Sequence, residues 1–325
     1  MSDRPKKIVV VGSINLDLVA YVPRMPVEGE TIIGNDFATY PGGKGANQAV
    51  AAARLGGNVV MIGRLGQDDF GKRLLRELEG AGVNTEAVLR VPKPSGSAVI
   101  LVEPEGRNSI VVIPGANHEL RPADLDRHQE TLQDAAVILA QLEIPIETVE
   151  HLGELAAALG VAFILDPAPA EALSANILRN VTWLTPNETE TSSILRHLGQ
   201  PIDDLSTDDA VSAASERLLA AGVRNVILKL GSRGVYLSGT DVASTHIAPY
   251  RVEAVDTTAA GDAFNGGFAY GLTHGLPPIE AGRFACAVAA ISVTRVGAQP
   301  SMPTLAEVNA LVGVRATTMS EEPIS

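Results

Sequence analysis

Residues 161–167 read VAFILDP, a short run of branched and aromatic side chains that stops at Asp-Pro. A run of this kind, bounded by turn residues, is typical of a buried strand. Strands separated by helix-like segments predict βαβ units, and therefore a three-layer, Rossmann-like α/β fold with a central, mostly parallel sheet. Comparable segments are KIVVVGS (7–13), NVVMIGRLG (58–66), AVILAQLE (136–143), VTWLTPN (181–187) and NVILKLG (225–231).

Two segments interrupt this alternation because neither has room for a crossover helix. Residues 16–41 contain short extended segments separated by proline and glycine, and residues 97–113 have the pattern of a β-hairpin that turns at 104–107. We expect the two segments to form a small β-sheet lid, a discontinuous unit at one edge of the fold. The α/β core is then predicted to comprise residues 1–15, 42–96 and 114–316, and residues 317–325 are predicted to be a disordered tail.

The composition argues against several classes of partner. The chain has 325 residues and a formal net charge of −13, which repels nucleic acid and anionic lipid. No apolar stretch approaches the roughly 20 residues of a membrane span, and the apolar run near the N-terminus is too short for a signal peptide. The single cysteine, Cys286, suits a reducing compartment. We therefore expect a cytoplasmic protein without nucleic-acid or membrane partners.

Residues 255–267, VDTTAAGDAFNGG, place small residues before a helix-like segment. The first N–H groups of a helix lack intrahelical partners and its dipole makes that end positive, so Ala259, Ala260 and Gly261 predict an anion site, with phosphate the obvious anion. Asp262 beside this site could take the proton of an alcohol during phosphoryl transfer. The alternative is that Asp262 only stabilises the first turn of a helix.

Two further stretches could bind a small polyol. In GSINLDLV (12–19), Asn15 and Asp17 lie two apart and project together from an extended chain, although a turn with self-satisfied side chains would explain them equally well. In YPGGKGANQAV (40–50), the glycines permit close approach to a ligand, and Lys44 and Asn47 can add polar contacts. That stretch lacks the Walker A spacing, and a helix-entry turn is its alternative interpretation.

TPNETE (185–190) follows a predicted strand and places Asn187 and Glu190 on one face of a helix start. Such oxygen donors suit Mg²⁺, usually through water, although a solvated helix terminus would look the same. Two enzyme classes are poorly supported. No G-x-G-x-x-G follows the first strand, which argues against a dinucleotide enzyme, and no G-x-S-x-G is present, which argues against a serine hydrolase of the nucleophile-elbow type.

Taken in order along nearly the whole chain, these stretches resemble the ribokinase family of small-molecule kinases, the PfkB carbohydrate kinases. The resemblance is carried by GSINLD, GGKGANQAVAA, QLE, DPAPA, TPNETE, LGSRG, VDTTAAGDAFNGG and GAQPSMP. It implies the ribokinase fold, ATP-dependent phosphorylation of D-ribose at its 5-hydroxyl, Mg²⁺, activation by K⁺, and a lid that often pairs with a second subunit in a homodimer.

Two alternatives remain open at this point. The chain could be a kinase for another sugar or a nucleoside in the same family, because sugar choice depends on lid residues. It could also be a catalytically silent sugar-binding regulatory module. The intact Asp262, the Ala-Ala-Gly turn and the NETE segment argue against a silent module, which need not retain all three.

The resemblance also implies roles for individual positions. Asp262 would be the catalytic base, and the N–H groups of Ala259, Ala260 and Gly261 would form the anion hole. The sugar site would comprise Asn15, Leu16, Asp17, Gly42, Gly43, Lys44, Gly45, Ala46, Asn47, Glu143 and Asp262. The nucleotide site would comprise Asn187, Lys229, Leu230, Gly231, Ser232, Arg233, Gly234, Gly261, Asp262 and Cys286. Potassium would be held by Asp256, Thr258, Ser292, Arg295, Gly297 and Ser301, and Mg²⁺ by Glu190 through water.

Two of these positions depart from the family pattern. Lys229 stands where a hydroxyl residue is often found, and Cys286 stands where a polar residue commonly contacts the adenine side. We expect both residues to influence nucleotide affinity without changing the chemistry.

Overall fold

The computed structural model describes residues 6–320, which form two β-sheets and the helices that cover the larger one. The strands are β1 (Lys7–Val11), β2 (Asn15–Tyr21), β3 (Asp36–Gly42), β4 (Asn58–Gly66), β5 (Val88–Val91), β6 (Gly96–Val102), β7 (Asn108–Ile113), β8 (Ala135–Ala140), β9 (Ala162–Leu165), β10 (Trp183–Leu184), β11 (Asn225–Lys229), β12 (Val235–Gly239) and β13 (Thr245–Ile247). The helices are α1 (Lys44–Arg54), α2 (Asp69–Gly80), α3 (Pro122–Arg127), α4 (Gln129–Gln133), α5 (Ile146–Leu159), α6 (Ala175–Asn180), α7 (Glu188–His197), α8 (Asp208–Ala220), α9 (Ala260–Thr273), α10 (Pro278–Ser292) and α11 (Leu305–Ser320).

The larger sheet has nine strands in the order β13-β12-β11-β10-β9-β8-β1-β4-β5. The strands from β11 to β5 pair in parallel, and β12 and β13 add antiparallel strands at one edge. The predicted α/β class with a mostly parallel sheet is therefore confirmed. The strand β12 was not predicted, because a short turn at Gly231–Gly234 returns the chain directly instead of through a crossover helix.

Alternating side chains of β1 show how the layers form. Ile8 and Val10 belong to a core cluster that includes α1, α9 and α10, whereas Val9 and Val11 belong to a second cluster that includes α5, α7 and α8. All four side chains are fully buried. Because successive strand residues point to opposite faces, the sheet is covered by helices on both sides, which is the three-layer arrangement.

The smaller sheet has four strands in the order β3-β2-β6-β7. The pairs β2–β3 and β6–β7 are antiparallel, whereas β2–β6 is parallel. The predicted hairpin is confirmed as β6–β7. Since β2 begins four residues after β1 and β3 ends next to α1, the sheet stands directly over the ends of the core strands.

The carboxyl ends of β1, β8, β9 and β11 meet at one edge of the larger sheet, where α1 and α9 begin. In open α/β sheets ligands bind at this edge, so the architecture places the predicted site there. Across residues 6–320, no helix combines the length and apolar character needed to cross a membrane. The predicted tail, residues 317–325, begins in the last turn of α11, and residues 321–325 lie outside the described residues.

Candidate active site

The start of α9 has the geometry expected of an anion site. Ala259 precedes the helix with φ = 59°, and it is the non-glycine residue with positive φ within residues 6–320. This left-handed conformation costs about 1–2 kcal/mol and tends to persist where function requires it. In the described chain, the N–H groups of Ala259, Gly261 and Asp262 have no backbone acceptor, whereas that of Ala260 donates to the Thr257 carbonyl at 3.2 Å. The turn therefore leaves several N–H donors at the start of α9 without a backbone partner.

Asp262 lies in the first turn of α9 and is 4% exposed. Its Oδ2 accepts a hydrogen bond from Asn47 Nδ2 at 2.9 Å, and its Oδ1 accepts one from Gln48 Nε2 at 3.1 Å. Burial raises the pKa of Asp262 to about 6, with Lys44 opposing the shift and Asp166 adding to it. A buried carboxylate that is ionised near neutral pH can act as a general base.

The predicted sugar side is organised around Glu143, which follows β8. Its Oε2 accepts hydrogen bonds from the Ser13 hydroxyl at 2.5 Å, the Lys44 backbone N–H at 3.2 Å and Asn15 Nδ2 at 3.4 Å. Asn15 is held in turn by Asn117, whose Nδ2 donates to Asn15 Oδ1 at 2.7 Å. The structure therefore brings Asn15, Lys44 and Glu143 together, although they lie far apart in the sequence.

Electrostatic repulsion is concentrated on the same side. Burial, together with Glu143 and Asp262, raises the pKa of Asp17 to about 7. Burial opposes the charged form of Lys44, but Asp262, Asp166 and Glu143 outweigh it and raise the pKa of the ammonium group. The cluster holds more carboxylates than cations, which suits hydroxyl groups that donate hydrogen bonds.

Steric contacts explain why positions 42 and 43 carry glycine. Gly43 has φ = 87°, and a Cβ there would lie 2.6 Å from the Asn15 backbone nitrogen. At Gly42, a Cβ would lie 2.3 Å from Asp17 Oδ2, so even alanine would displace that carboxylate. Leu16 and Ala46 are buried in the core cluster. They can therefore contribute to the site only through their backbone.

A cavity of about 520 Å³ lies on the other side of the α9 turn. That volume is within the range of small-ligand sites. It is lined by several of the predicted nucleotide residues and by apolar side chains. The lining residues include Asn187, Lys229, Gly231, Ser232, Gly234, Gly261, Phe264, Cys286, Ala289, Ala290 and Val293. The cavity therefore ends at the turn that carries the unpaired N–H groups.

Two residues that were predicted to bind the nucleotide have side chains that pack away from this cavity. Leu230 is 2% exposed within the second core cluster, and the Arg233 side chain pairs with Glu188 at 2.6 Å. Neither lines the cavity. Lys229, by contrast, donates to Asp166 Oδ1 at 2.8 Å, and its Nζ lies 3.2 Å from where a Cβ on Gly261 would stand. Its positive charge is thus adjacent to the anion site.

Asn187 and Glu190 form a reciprocal capping box at the start of α7. Asn187 Oδ1 accepts from the Glu190 N–H at 2.8 Å, and Glu190 Oε2 accepts from the Asn187 N–H at 2.8 Å. Burial raises the pKa of Glu190, with Lys229 opposing the shift. Both residues thus cap the helix, and the remaining carboxylate lone pairs of Glu190 are of the hard oxygen type that Mg²⁺ accepts.

Three of the predicted potassium residues, Asp256, Thr258 and Gly297, are joined by hydrogen bonds just before the α9 turn. Asp256 accepts hydrogen bonds from the Thr258 N–H at 2.9 Å and the Gly297 N–H at 2.8 Å. Burial favours the neutral carboxyl, but these bonds outweigh burial and lower the pKa of Asp256. The Arg295 side chain pairs with Glu307, so Arg295 could offer a cation only its backbone carbonyl. Ser292 and Ser301 are fully buried. Within residues 6–320, no group of three or more His, Cys, Asp or Glu side chains has a metal-binding arrangement.

Sequence reasoning missed several residues that the fold brings to this site. Gln48, Asn117, Gln141 and Asp166 are each buried, and each hydrogen-bonds to a predicted residue or to its partner. A signal was available for Asp166, because it directly follows β9 and the carboxyl ends of parallel strands share an edge. The same signal was available for Gln141, which directly follows β8, whereas the ends of core strands do not mark Gln48 or Asn117.

Comparisons with known proteins show the family of the chain. The model of the pfkB family of carbohydrate kinases matches residues 5–305. The chain is 40% identical to the ribokinase of Schizosaccharomyces pombe, covering 96% of this chain and 99% of that protein. It is also 40% identical to a deoxyribokinase of Salmonella typhi, covering 93% and 97% respectively.

A solved structure of Arabidopsis thaliana ribokinase, complexed with ribose and ATP, superimposes with a TM-score of 0.88 at 35% identity, covering 95% of this chain and 98% of that chain. The small sheet and the larger sheet are both included in a match of this extent. With this match the family expected from the sequence motifs is confirmed: the chain belongs to the pfkB family of carbohydrate kinases.

Proposed function

We propose that the protein is an ATP-dependent ribokinase, which transfers the γ-phosphoryl group of ATP to the 5-hydroxyl of D-ribose. The observation that carries the proposal is the position of Asp262, a buried carboxylate at the boundary between the polar cluster of Asn15, Lys44 and Glu143 and the cavity that ends at Gly261. A base at that boundary can reach an acceptor hydroxyl and a transferring phosphate at once. Relatives named as ribokinases support ribose as the acceptor.

In the reaction, the sugar hydroxyl donates its proton to Asp262 as its oxygen attacks the γ-phosphorus, and the bond to the β-phosphate oxygen breaks. The unpaired N–H groups at the start of α9 stabilise the negative charge on the moving phosphoryl group. The ammonium of Lys229 lies beside the same turn and adds positive potential. Catalysis therefore rests on positioning and fixed charge, as phosphoryl transfer requires.

A divalent metal accompanies ATP in kinases, and we propose Mg²⁺. Glu190 is 7% exposed near Asn187 and Lys229, so its carboxylate would hold the ion through water. When bound, the ion would neutralise charge on the β- and γ-phosphates. We also propose potassium activation through Asp256, whose ionised carboxylate is held next to the α9 turn by two backbone N–H groups and would supply oxygen to a large monovalent cation.

A second candidate acceptor is 2-deoxy-D-ribose, because a relative named as a deoxyribokinase is as similar in sequence to this chain as the ribokinase is. The two sugars differ in one hydroxyl, and a site built to bind that hydroxyl rejects the analogue that lacks it. Asp17, Asn15 and Glu143 provide acceptors for sugar hydroxyls, which favours ribose over a nucleoside. Hexoses and nucleosides remain the alternative acceptors.

The test is ADP release measured across D-ribose, 2-deoxy-D-ribose, other pentoses, hexoses and nucleosides. We expect the highest kcat/KM for D-ribose. A higher kcat/KM for deoxyribose would reassign the acceptor within the same chemistry. A preference for a nucleoside or hexose, or no sugar-dependent ADP release, would refute the proposed function.

We further propose a cytoplasmic homodimer that forms through the small sheet. The strand β7 lies at the edge of that sheet, and Ile110, Val111, Val112 and Ile113 are all exposed, Val111 by 62%. An exposed apolar edge strand can pair with a strand of a second chain, which would cover its apolar side chains. Sedimentation should give a dimer for the native chain and a monomer for Val111→Arg. A native monomer would refute the dimer, and a Val111→Arg dimer would exclude this edge as its interface.

A further inference from the structure

A buried amide that the proposed chemistry has not used lies behind the base. Gln48 is fully buried in α1. Its Nε2 donates to Asp262 Oδ1 at 3.1 Å and to Asp166 Oδ2 at 3.0 Å, and its Oε1 accepts from Gln141 Nε2 at 2.7 Å. The amide therefore donates its two N–H groups to two different carboxylates, while the hydrogen bond from Gln141 fixes the orientation of the amide.

The surroundings of Gln48 argue against a purely structural role. Its neighbours on α1 include Ala46, Ala49 and Val50, all buried in the core cluster. Burying an amide among apolar side chains is unfavourable unless every polar atom is paired. A core position of this kind would normally be apolar, and here the partners that satisfy the amide are the base and its neighbour.

The second carboxylate extends the connection to the phosphate side. Asp166 Oδ1 accepts from Lys229 Nζ at 2.8 Å, and that ammonium lies beside Gly261 in the anion turn. Asp262, Gln48, Asp166 and Lys229 therefore form one continuous chain of hydrogen bonds. It links the group that receives the sugar proton to the cation nearest the transferring phosphate.

We propose that Gln48 is a positioning residue for phosphoryl transfer. It holds one oxygen of Asp262 and one of Asp166, and so keeps two mutually repelling carboxylates at a fixed separation, with the base oriented toward the acceptor hydroxyl. Without the amide, Asn47 would still hold Oδ2 of Asp262, but the carboxylate could rotate away from its reactive orientation. The inference rests on the proposed kinase function and deepens it.

The test compares the native enzyme with Gln48→Met, which keeps the length of the side chain but removes its donors. We expect kcat to fall roughly 10- to 100-fold, as for loss of a hydrogen bond to a charged group, with KM for sugar and for ATP changed less than about threefold. The charged groups whose fields reach Asp262 are Lys44, Asp166 and Asp17. Because a donor to the ionised form is lost, the acidic limb of the kcat profile should move to higher pH.

Asn225→Ala is the matched control. Asn225 is another fully buried amide, but its Nδ2 donates to the Thr182 carbonyl and to Asp241, away from the site. We expect this variant to lose stability while kcat stays within about twofold of native. A kcat loss in Asn225→Ala equal to that in Gln48→Met would mean that the effect reflects stability, and the proposal would be wrong.

Gln141→Met provides a second route should Gln48→Met fail to fold. It leaves both donors of Gln48 in place but removes the bond that orients the amide, so a smaller kcat loss, about threefold, and a pH shift of the same sign are expected. Native kcat and an unchanged pH profile in the folded variant of either glutamine would overturn the proposal. All measurements use the acceptor that the native enzyme prefers. A native enzyme that phosphorylates no sugar would refute the proposed function instead, so the two failures are distinguishable.

Discussion

The two sides of the α9 turn differ in physical character. The proposed sugar side is a partly buried cluster, in which burial raises the pKa of Asp17 to about 7 and the carboxylates of Glu143 and Asp262 add to that rise. The nucleotide side is a cavity lined largely by apolar side chains such as Phe264 and Val293, with Lys229 as its charged group nearest the turn. Under the proposed function, one side would bind hydroxyl groups through charge, and the other would accept the ring and polyphosphate of ATP through shape.

This difference has a consequence for the stability of the folded protein. Crowded carboxylates are unfavourable in the unoccupied protein and become useful only when hydroxyl groups donate to them. An apolar cavity carries no such repulsion. We therefore expect variants on the sugar side to change both stability and function, and variants on the nucleotide side to change affinity alone.

The largest effect should come from the residue at the boundary, through Asp262→Asn. The amide has nearly the same shape but cannot take a proton, so kcat should fall by roughly 10²–10⁴-fold or more. Steady-state kinetics and thermal unfolding of the purified variant measure this. A variant that unfolds like the native protein yet keeps most of the native rate would show that Asp262 is not the base.

On the sugar side, Asp17→Asn should raise the sugar KM by about 10- to 100-fold, because a charged acceptor is lost. It should also stabilise the protein at high pH. The folded pKa of about 7 exceeds the value of 3.8 for a free aspartate, so the folded state binds the proton more tightly. Stability is then lost as pH rises from about 4 to 7, by an amount on the order of a few kcal/mol.

Urea unfolding of the native protein and Asp17→Asn, at about pH 4.5 and pH 8, isolates that contribution. The variant should be more stable than the native protein by a clearly larger margin at the higher pH. An equal margin at both pH values would mean that the folded protein does not disfavour the ionised form of Asp17.

On the nucleotide side, Cys286→Phe should fill part of the cavity that Cys286 lines and raise the KM for ATP by about tenfold. The sugar KM should change little, because Cys286 lies on the opposite side of the turn. Cys286→Ser, which keeps the volume, serves as the control and should stay near native. A rise in the sugar KM as large as that for ATP would contradict the separation of the two sides.

The smallest effect concerns the cation predicted behind the turn. Asp256→Ala should reduce activation by potassium several-fold while leaving most of the potassium-free rate. Glu253→Ala removes an exposed carboxylate nearby and should respond to potassium as the native enzyme does. An unchanged potassium response in Asp256→Ala would refute the role of Asp256 in cation binding.

Much of the scaffold was predictable because its signals are local. The segments that became β8, β9 and β11 are short apolar runs that end in turn residues, and their alternation with helices is sufficient to predict a parallel sheet. The clustering of polar residues at the carboxyl edge also follows from that topology. The edge strand β12 was missed because its connection is a tight turn, which the alternation rule does not anticipate.

The hydrogen bonds behind the base were not predictable in the same way. Gln48 lies 118 positions from Asp166 and 214 from Asp262, and no spacing rule connects them. Only the packing of α1 against α9 and the sheet shows that a core amide faces two carboxylates.

The most direct test is a crystal structure with D-ribose and a non-hydrolysable ATP analogue. The account predicts that the acceptor oxygen lies within hydrogen-bond distance of an Asp262 oxygen, while the γ-phosphate lies against the N–H groups of Ala259, Gly261 and Asp262. An acceptor oxygen bound away from Asp262, or a terminal phosphate bound elsewhere than the α9 turn, would contradict it.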